Sequence, residues 1–335
     1  MPETTTAYPP GAVWPETALP VTPPAPDARQ PRSPTRLRRP SFLLCPPFTY
    51  ATSVANNIWM EELEPEEREP DPDRAMAQFL EVYRFLAAEA LVYVLAAPGG
   101  ADLQDLVFTA NLGIVLEHVG GPGTVVVSNF TTEARRGETD VGVRFFDQLG
   151  YDVHVPPAKF EGDAELKHLR DDIYVGGYGI RSEREAYDWM EETFDMKVVK
   201  LRETDPYLYH LDCSVFPLTR EDTLVCTELY EREEVAELER HTNVIDVPLD
   251  ACYSGICNSV RLGNMILNSS HIHELKAGTD DYREELAKNR LLEDIAIDNA
   301  FEVAYFNLSE FHKGGALLSC MVMHLNRYSY GFKLV

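Results

Sequence analysis

The stretch IYVGGYGIRSEREAYDWMEETFDMKVVKL (173–201) contains one complete structural unit. IYVGGYG has the β-branched and aromatic content of a strand. REAYDWMEETF places apolar residues three and four apart, as an amphipathic helix requires. KVVKL returns to strand. The same order recurs on both sides of this unit. TVVVSNF and YDVHVP flank the helical VGVRFFDQLG; TLVCT precedes EREEVAELERH and NVIDVP; NMILN leads through REELAKNRLLEDIA to FEVAYF. Upstream, SFLLCPP is a short strand ended by prolines, and AMAQFLEVYRFLAAEALVYVLA passes from helix to strand. A period of roughly 50 residues predicts a small α/β unit repeated around a centre. A doubly wound sheet would alternate in the same way, but no GxGxxG turn follows a first strand.

The bulk properties set limits on partners and place. The 335 residues can bury a substantial core, and 44% hydrophobic with 25% charged residues is the balance of a soluble globular protein. A net charge of -25 opposes nucleic acid or an anionic membrane as the main partner, since both are polyanions. No apolar run approaches the ~20 residues of a bilayer span, and no secretory signal pattern opens the chain. The six cysteines lack CxxC spacing, which reads as reduced thiols in a cytoplasmic protein and not as a metal site. Residues 1–40 hold about half of the 23 prolines and are expected to form an extended tail with a basic end, RQPRSPTRLRRP. Residues 41–335 are expected to form one catalytic domain.

Four segments interrupt the apolar rhythm with reactive groups. They are LQDLVFTAN with Asp105 and Asn111, KFEGDAEL with Glu161, YLYHLDCSVF with His210 and Asp212, and HKGGALLSCMVMHLNR with Cys320. Read as strands, these segments would put His210 and Asp212 on one face and carry Cys320 into a channel, with Gly314 and Gly315 letting the backbone pass close to a ligand. Each residue taken singly has a plainer reading. Asp105 and Asn111 suit turns, a His–Asp pair can be structural, and a lone cysteine is more often core. Together they describe one chemistry. A nucleophilic thiol needs a base, which His210 can be. Two carboxylates, Glu161 and Asp212, suit a planar cation with several N–H donors. The set points to attack on a guanidinium carbon.

FLLCPP, NNIWMEE, DLVFTAN, FEG, GGYGIRSE, YHLD and GGALLSC, in this order, resemble the guanidino-modifying enzymes of the pentein fold, over about Phe42 to Leu325. Within that group the chain is most similar to the arginine dihydrolase catalytic domain. The resemblance implies a five-bladed α/β propeller with its active site in a central channel. It implies Cys320, His210, Glu161 and Asp212 as the catalytic set, and Asn57, Asp105, Asn111, Arg135 and Arg181 as substrate contacts, with Arg136 the neighbouring alternative to Arg135. The two arginines would clamp a substrate carboxylate. The family's FEGxGD reads FEGDAE here, which brings Asp163 close behind Glu161 and beside the expected guanidinium. SGICNSVRLGN matches in outline only, and the extra C-terminal domain of some dihydrolases has no counterpart.

The expected activity is hydrolysis of the guanidino group of arginine or a close analogue through a cysteine thiouronium intermediate, releasing ammonia, with no metal or cofactor. An amidinotransferase would use the same residues with an amine acceptor. A dimethylarginine hydrolase would need room for N-methyl groups, and a non-catalytic pentein would bind its ligand only. The expected partner is a small guanidino compound, with homo-oligomerisation left open.

Overall fold

The computed structural model describes residues 34–99, 102–121 and 123–331. Five three-stranded sheets follow one another along the chain. In each, the central strand pairs antiparallel with one neighbour and parallel with the other, and a helix bridges the parallel pair. Only a crossover of this length can connect parallel strands. The unit quoted above is the third: Leu166–Arg170, Ile173–Tyr178 and Lys197–Arg202, with the helix Arg184–Phe194. The second has Gly113–Leu116, Thr124–Val127 and Asp152–His154; the fourth Val215–Pro217, Asp222–Val225 and Asn243–Asp246; the fifth Val260–Leu262, Met265–Ser269 and Glu302–Phe306. The first sheet closes the ring. Ser41–Leu44 pairs parallel with Leu91–Val94 and antiparallel with Met323–His324 from the far end of the chain. This is the five-bladed α/β propeller of the penteins.

Blade packing follows from the sequence pattern. The helix Pro72–Glu89 is capped by Asp71, whose side chain accepts from the N–H groups of Asp73 and Arg74, and Pro72 opens it where a donor is not needed. It buries Ala75, Phe79, Val82 and Leu86, three and four residues apart, against Phe42 and Leu44 of the first sheet. Each large side chain contributes about 1.5–3 kcal/mol by leaving water. Comparable clusters fill the other blade interfaces, for example Phe160, Tyr174, Tyr187 and Met190 around the third.

Two expectations change. The greater part of the tail lies outside the described residues, but the body already begins at Pro34–Arg36, a short 3-10 turn. The Asn326 amide donates to the carbonyls of Pro34 at 3.0 Å and Arg39 at 2.9 Å, so this part of the basic segment is held to the C-terminal strand. The four polar segments, moreover, are not strands. Thr109–Leu112, Gly162–Ala164 and Leu211–Cys213 are 3-10 turns, and Leu318–Met321 is one turn of α-helix. Each stands directly before the first strand of a blade. A strand would send alternate polar side chains into the apolar layers between blades, whereas a turn gathers them at the centre where they find partners.

Candidate active site

Those turns meet around one narrow cavity. Asn111 comes from the turn before the second blade, Glu161 from that before the third, His210 and Asp212 from that before the fourth, and Cys320 from that before the first. Asn111, His210 and Cys320 line the cavity, together with Asn57, Asp105, Arg135, Arg181 and Tyr209. Gly162 decides how close two of the turns can come. Its φ of +69° is in the left-handed region, and a Cβ there would stand 2.5 Å from the Ala110 carbonyl oxygen. Only glycine lets the Glu161 loop lie on the Asn111 turn.

His210 and Glu161 form the central pair, with the imidazole Nε2 2.8 Å from Glu161 Oε2. The other Glu161 oxygen accepts from the Thr131 N–H at 3.1 Å, and the Arg181 guanidinium lies 3.8 Å away. Burial alone would raise the Glu161 carboxyl, but the His210 hydrogen bond and the Arg181 and Arg135 charges outweigh it and hold it down at about 2. Burial pushes the His210 imidazole below its ordinary value, against the pull of Glu161, which keeps it neutral and able to accept a proton. The Asn111 amide lies within 3.4–3.5 Å of the ring nitrogens.

Cys320 is 5% exposed, its sulfur 3.7 Å from Asp212 Oδ2. The Ser319 hydroxyl donates to the same carboxylate. Burial, reinforced by the Asp212 charge, pushes the thiol up to about 12. The resting site therefore holds a thiol, and a cation beside the sulfur is what would convert it to thiolate.

Every residue expected at the site is buried, and most line this cavity, but three face different partners from those expected. Arg135 is gripped by Glu138, Nε to Oε1 at 3.0 Å and Nη2 to Oε2 at 2.8 Å, and stacks over Phe130. Asn57 caps the helix Ile58–Glu62, accepting from the Met60 N–H and donating to the Gly314 carbonyl, each at 3.0 Å. Asp163 turns away from the cavity to Arg327 at 2.6 Å and His324 at 2.9 Å, so it does not stand beside a guanidinium. The paired glycines make room for protein. A Cβ on Gly315 would meet the Asn57 amide, and one on Gly314 the Tyr50 hydroxyl. Arg181 lies against the Tyr209 ring and donates to the Asn56 carbonyl, and Asn56 in turn donates to Asp105.

The sequence reading missed Asn258. Its amide donates to Cys320 Sγ at 3.4 Å while its carbonyl accepts the Ser319 N–H at 2.8 Å. It belongs to the segment before the first strand of the fifth blade, the position that supplies a site residue in each of the others. Phase within the repeat was the available signal. Asn258→Ala is expected to raise the Cys320 thiol titration further and, if Cys320 is the nucleophile, to lower kcat by about a hundredfold, the scale of losing one donor at the reacting centre. The pH dependence of Cys320 alkylation checks the first effect, and an unchanged titration would remove Asn258 from this role.

A closed five-bladed propeller with a buried cysteine, a histidine–carboxylate pair and a second carboxylate delivered by successive turns defines a guanidino-modifying pentein. More particularly, the chain belongs to the family described as N,N dimethylarginine dimethylhydrolase, eukaryotic, whose model matches residues 47–327. It is 28% identical over 291 residues to the bifunctional arginine dihydrolase/ornithine cyclodeaminase AgrE of Nostoc sp., covering 85% of this chain and 37% of that protein. The chain thus spans little more than a third of that relative's length. It is also 28% identical over 181 residues to the N(G),N(G)-dimethylarginine dimethylaminohydrolase of Mycobacterium tuberculosis, covering 54% of this chain and 55% of that one. Among solved structures, the N-terminal domain of ArgZ, an arginine dihydrolase from the ornithine–ammonia cycle in cyanobacteria, superposes with a TM-score of 0.73 at 26% identity, covering 86% of this chain and 98% of that one. That domain has been solved as a cysteine-to-serine variant bound to substrate, and covalently bound to a reaction intermediate in another variant. Among the described residues no helix is long and apolar enough to cross a membrane.

Proposed function

We propose that this chain hydrolyses the guanidino group of L-arginine or a close analogue, with Cys320 as nucleophile and ammonia as the released amine. The observation that carries this reading is the convergence of Cys320, Asp212 and the His210–Glu161 pair on one buried centre. Two carboxylates at that centre suit a guanidinium, which offers each of them N–H donors. Its charge also stabilises the thiolate that the resting site disfavours.

The proton count closes. Cys320 Sγ attacks the guanidinium carbon as its proton passes to His210, and His210 returns that proton to the departing nitrogen, which leaves as ammonia. The thiouronium left on sulfur is attacked by water, with His210 taking the water proton. Collapse breaks the C–S bond as the hydroxyl proton passes to sulfur, giving a ureido product and the free thiol. His210 sheds the water proton to solvent, where the released ammonia takes it up as ammonium. A second passage through the same steps, with Asn111 beside the neutral ureido group, would convert citrulline to ornithine, ammonia and carbon dioxide.

Arg181 would read a substrate carboxylate, since its contact with Glu161 is longer, at 3.8 Å, than the 2.8 Å pair that ties Arg135 to Glu138. Asp105, buried and bonded to Asn56 and Gln104, is placed to meet an α-ammonium group. Arg181→Ala is expected to raise KM for arginine by about ten- to a hundredfold, as loss of a charge-assisted bidentate contact implies, and to affect agmatine, which lacks the carboxylate, far less. Equal effects on both substrates would contradict the assignment.

The deciding experiment incubates the protein with arginine, asymmetrically dimethylated arginine and agmatine, with and without glycine or lysine, and resolves products by mass. Citrulline or ornithine with ammonia supports this reading. Dimethylamine as the released amine would shift the substrate to methylated arginine, as the family model suggests. A guanidinylated amine would make the enzyme an amidinotransferase.

A further inference from the structure

A second pair of acids lies behind the site, and the reaction scheme does not use it. Glu165 follows the Gly162–Ala164 turn and Glu203 follows the strand Lys197–Arg202; both are buried, at 0% and 6% exposure. One outside donor reaches them, the Leu211 N–H, 3.2 Å from Glu165 Oε2. Glu165 Oε1 and both Glu203 oxygens find no donor besides each other among the described residues. The two carboxyls converge on Gly177. A Cβ there would stand 2.7 Å from Glu203 Oε1 and 2.9 Å from Glu165 Oε2.

Two carboxylates in contact are acceptors with nothing to donate. One proton turns the same contact into a donor–acceptor pair and removes a like-charge repulsion in a dry interior. Among the described residues no cation forms an ion pair with either carboxylate. Glu161 and Asp212 face the pair as negative charges, Arg181 is the positive group within reach, and Tyr187, Tyr230 and Cys213 complete the surroundings as neutral groups.

Leu211 is the residue between His210 and Asp212. Its N–H is the bond through which the acid pair holds the peptide carrying both. We propose that Glu165 and Glu203 share a proton and form the positioning element that fixes the His210–Asp212 turn, so that turnover depends on a proton that never touches the substrate. The proposal rests on the hydrolase reading for its kinetic consequences, but the shared proton stands on the geometry of the pair. Burial, then the Glu203 and Glu161 charges, hold the Glu165 carboxyl above the usual range, and burial, then the Asp212 and Glu161 charges, hold Glu203 above it against the hydrogen bond with Glu165. The proton is therefore kept at neutral pH and lost as pH rises, which places a further negative charge behind the turn and lowers activity on the alkaline side.

The test uses the full chain and three variants. Glu203→Ala removes the partner and is expected to lower kcat by about ten- to a hundredfold, the effect of misplacing a catalytic group by a fraction of an ångström to an ångström, with a smaller change in KM. Glu203→Gln supplies an amide donor that cannot titrate. It is expected to recover most of that loss and to abolish the alkaline fall in kcat. Glu165→Gln should behave likewise in its pH profile while lengthening the Leu211 contact. Infrared difference spectra of wild type against Glu203→Gln at neutral pH should show loss of a protonated-carboxyl C=O band. Superimposable pH profiles for wild type and Glu203→Gln, or no band difference, would overturn the proposal. Inactivity of the wild type on every guanidino probe would overturn the functional reading instead, and the infrared comparison would then decide the shared proton by itself.

Discussion

Replacing Cys320 by serine is expected to reduce turnover by at least about a thousandfold, the scale of losing a nucleophile, while leaving the fold in place. The thiol is already the poorly ionised form, pushed up to about 12 by burial and by Asp212, and in the proposed mechanism a bound guanidinium pulls it back. A serine hydroxyl ionises far less readily, so the same cation could not make it an effective nucleophile. The surroundings nevertheless suit an oxygen. Asn258 can donate to it and Asp212 can accept from it, so no buried polar group is orphaned and stability should change by about 1 kcal/mol or less. Thermal unfolding and turnover measured side by side check both halves. Quenched wild-type reactions should in addition carry the amidino mass on the Cys320 peptide and on no other. Near-normal turnover by the serine variant would end the cysteine mechanism for this chain.

The second large effect belongs to His210. His210→Ala is expected to lower kcat by about 10²–10⁴, the usual contribution of a positioned acid–base group, because both proton transfers run through one imidazole. It should also change the acid stability of the protein, which a purely kinetic role would leave untouched. Glu161 is held at about 2 in the folded protein against an ordinary 4.5, with His210 the largest of the groups that lower it. A carboxyl lowered in this way stabilises the fold above its unfolded value, and that stabilisation disappears as pH falls through the folded value. The wild type should therefore exceed the variant in stability by the greatest margin above about 4.5, with the margin closing as pH is lowered towards 2. Melting temperatures across this window give the answer. A margin independent of pH would mean that His210 does not hold the Glu161 charge.

The sequence carried much of this in legible form. Short apolar runs, several of them β-branched, located all five central strands, which are buried on both faces, and period-3.6 patterns located their helices, which pack one apolar face against them. They did not locate the turns that build the site. YLYHLDCSVF has strand composition throughout, yet the chain forms a strand only from Val215, since His210 and Asp212 require polar partners that the blade interior lacks. The partners of Arg135 and Asn57 were equally illegible. Glu138 lies three residues from Arg135, but only burial of both makes the pair exclusive, and the Asn57 amide is occupied by Gly314 from 257 residues away. Asn258 could have been found by aligning the repeats in phase, as the turn before the first strand of each blade supplies the centre.

Residue types and their order thus determined the repeated α/β unit, the helix and strand in each, and which side chains are candidates for nucleophile, base and paired carboxylates, because those depend on local patterning and on chemistry that few side chains can perform. Ring closure decided the rest: which carboxylate each arginine faces, which asparagine touches the sulfur, and that two further glutamates end up buried together behind His210. Those outcomes depend on distances between segments remote in sequence, and on the desolvation that only a closed propeller imposes.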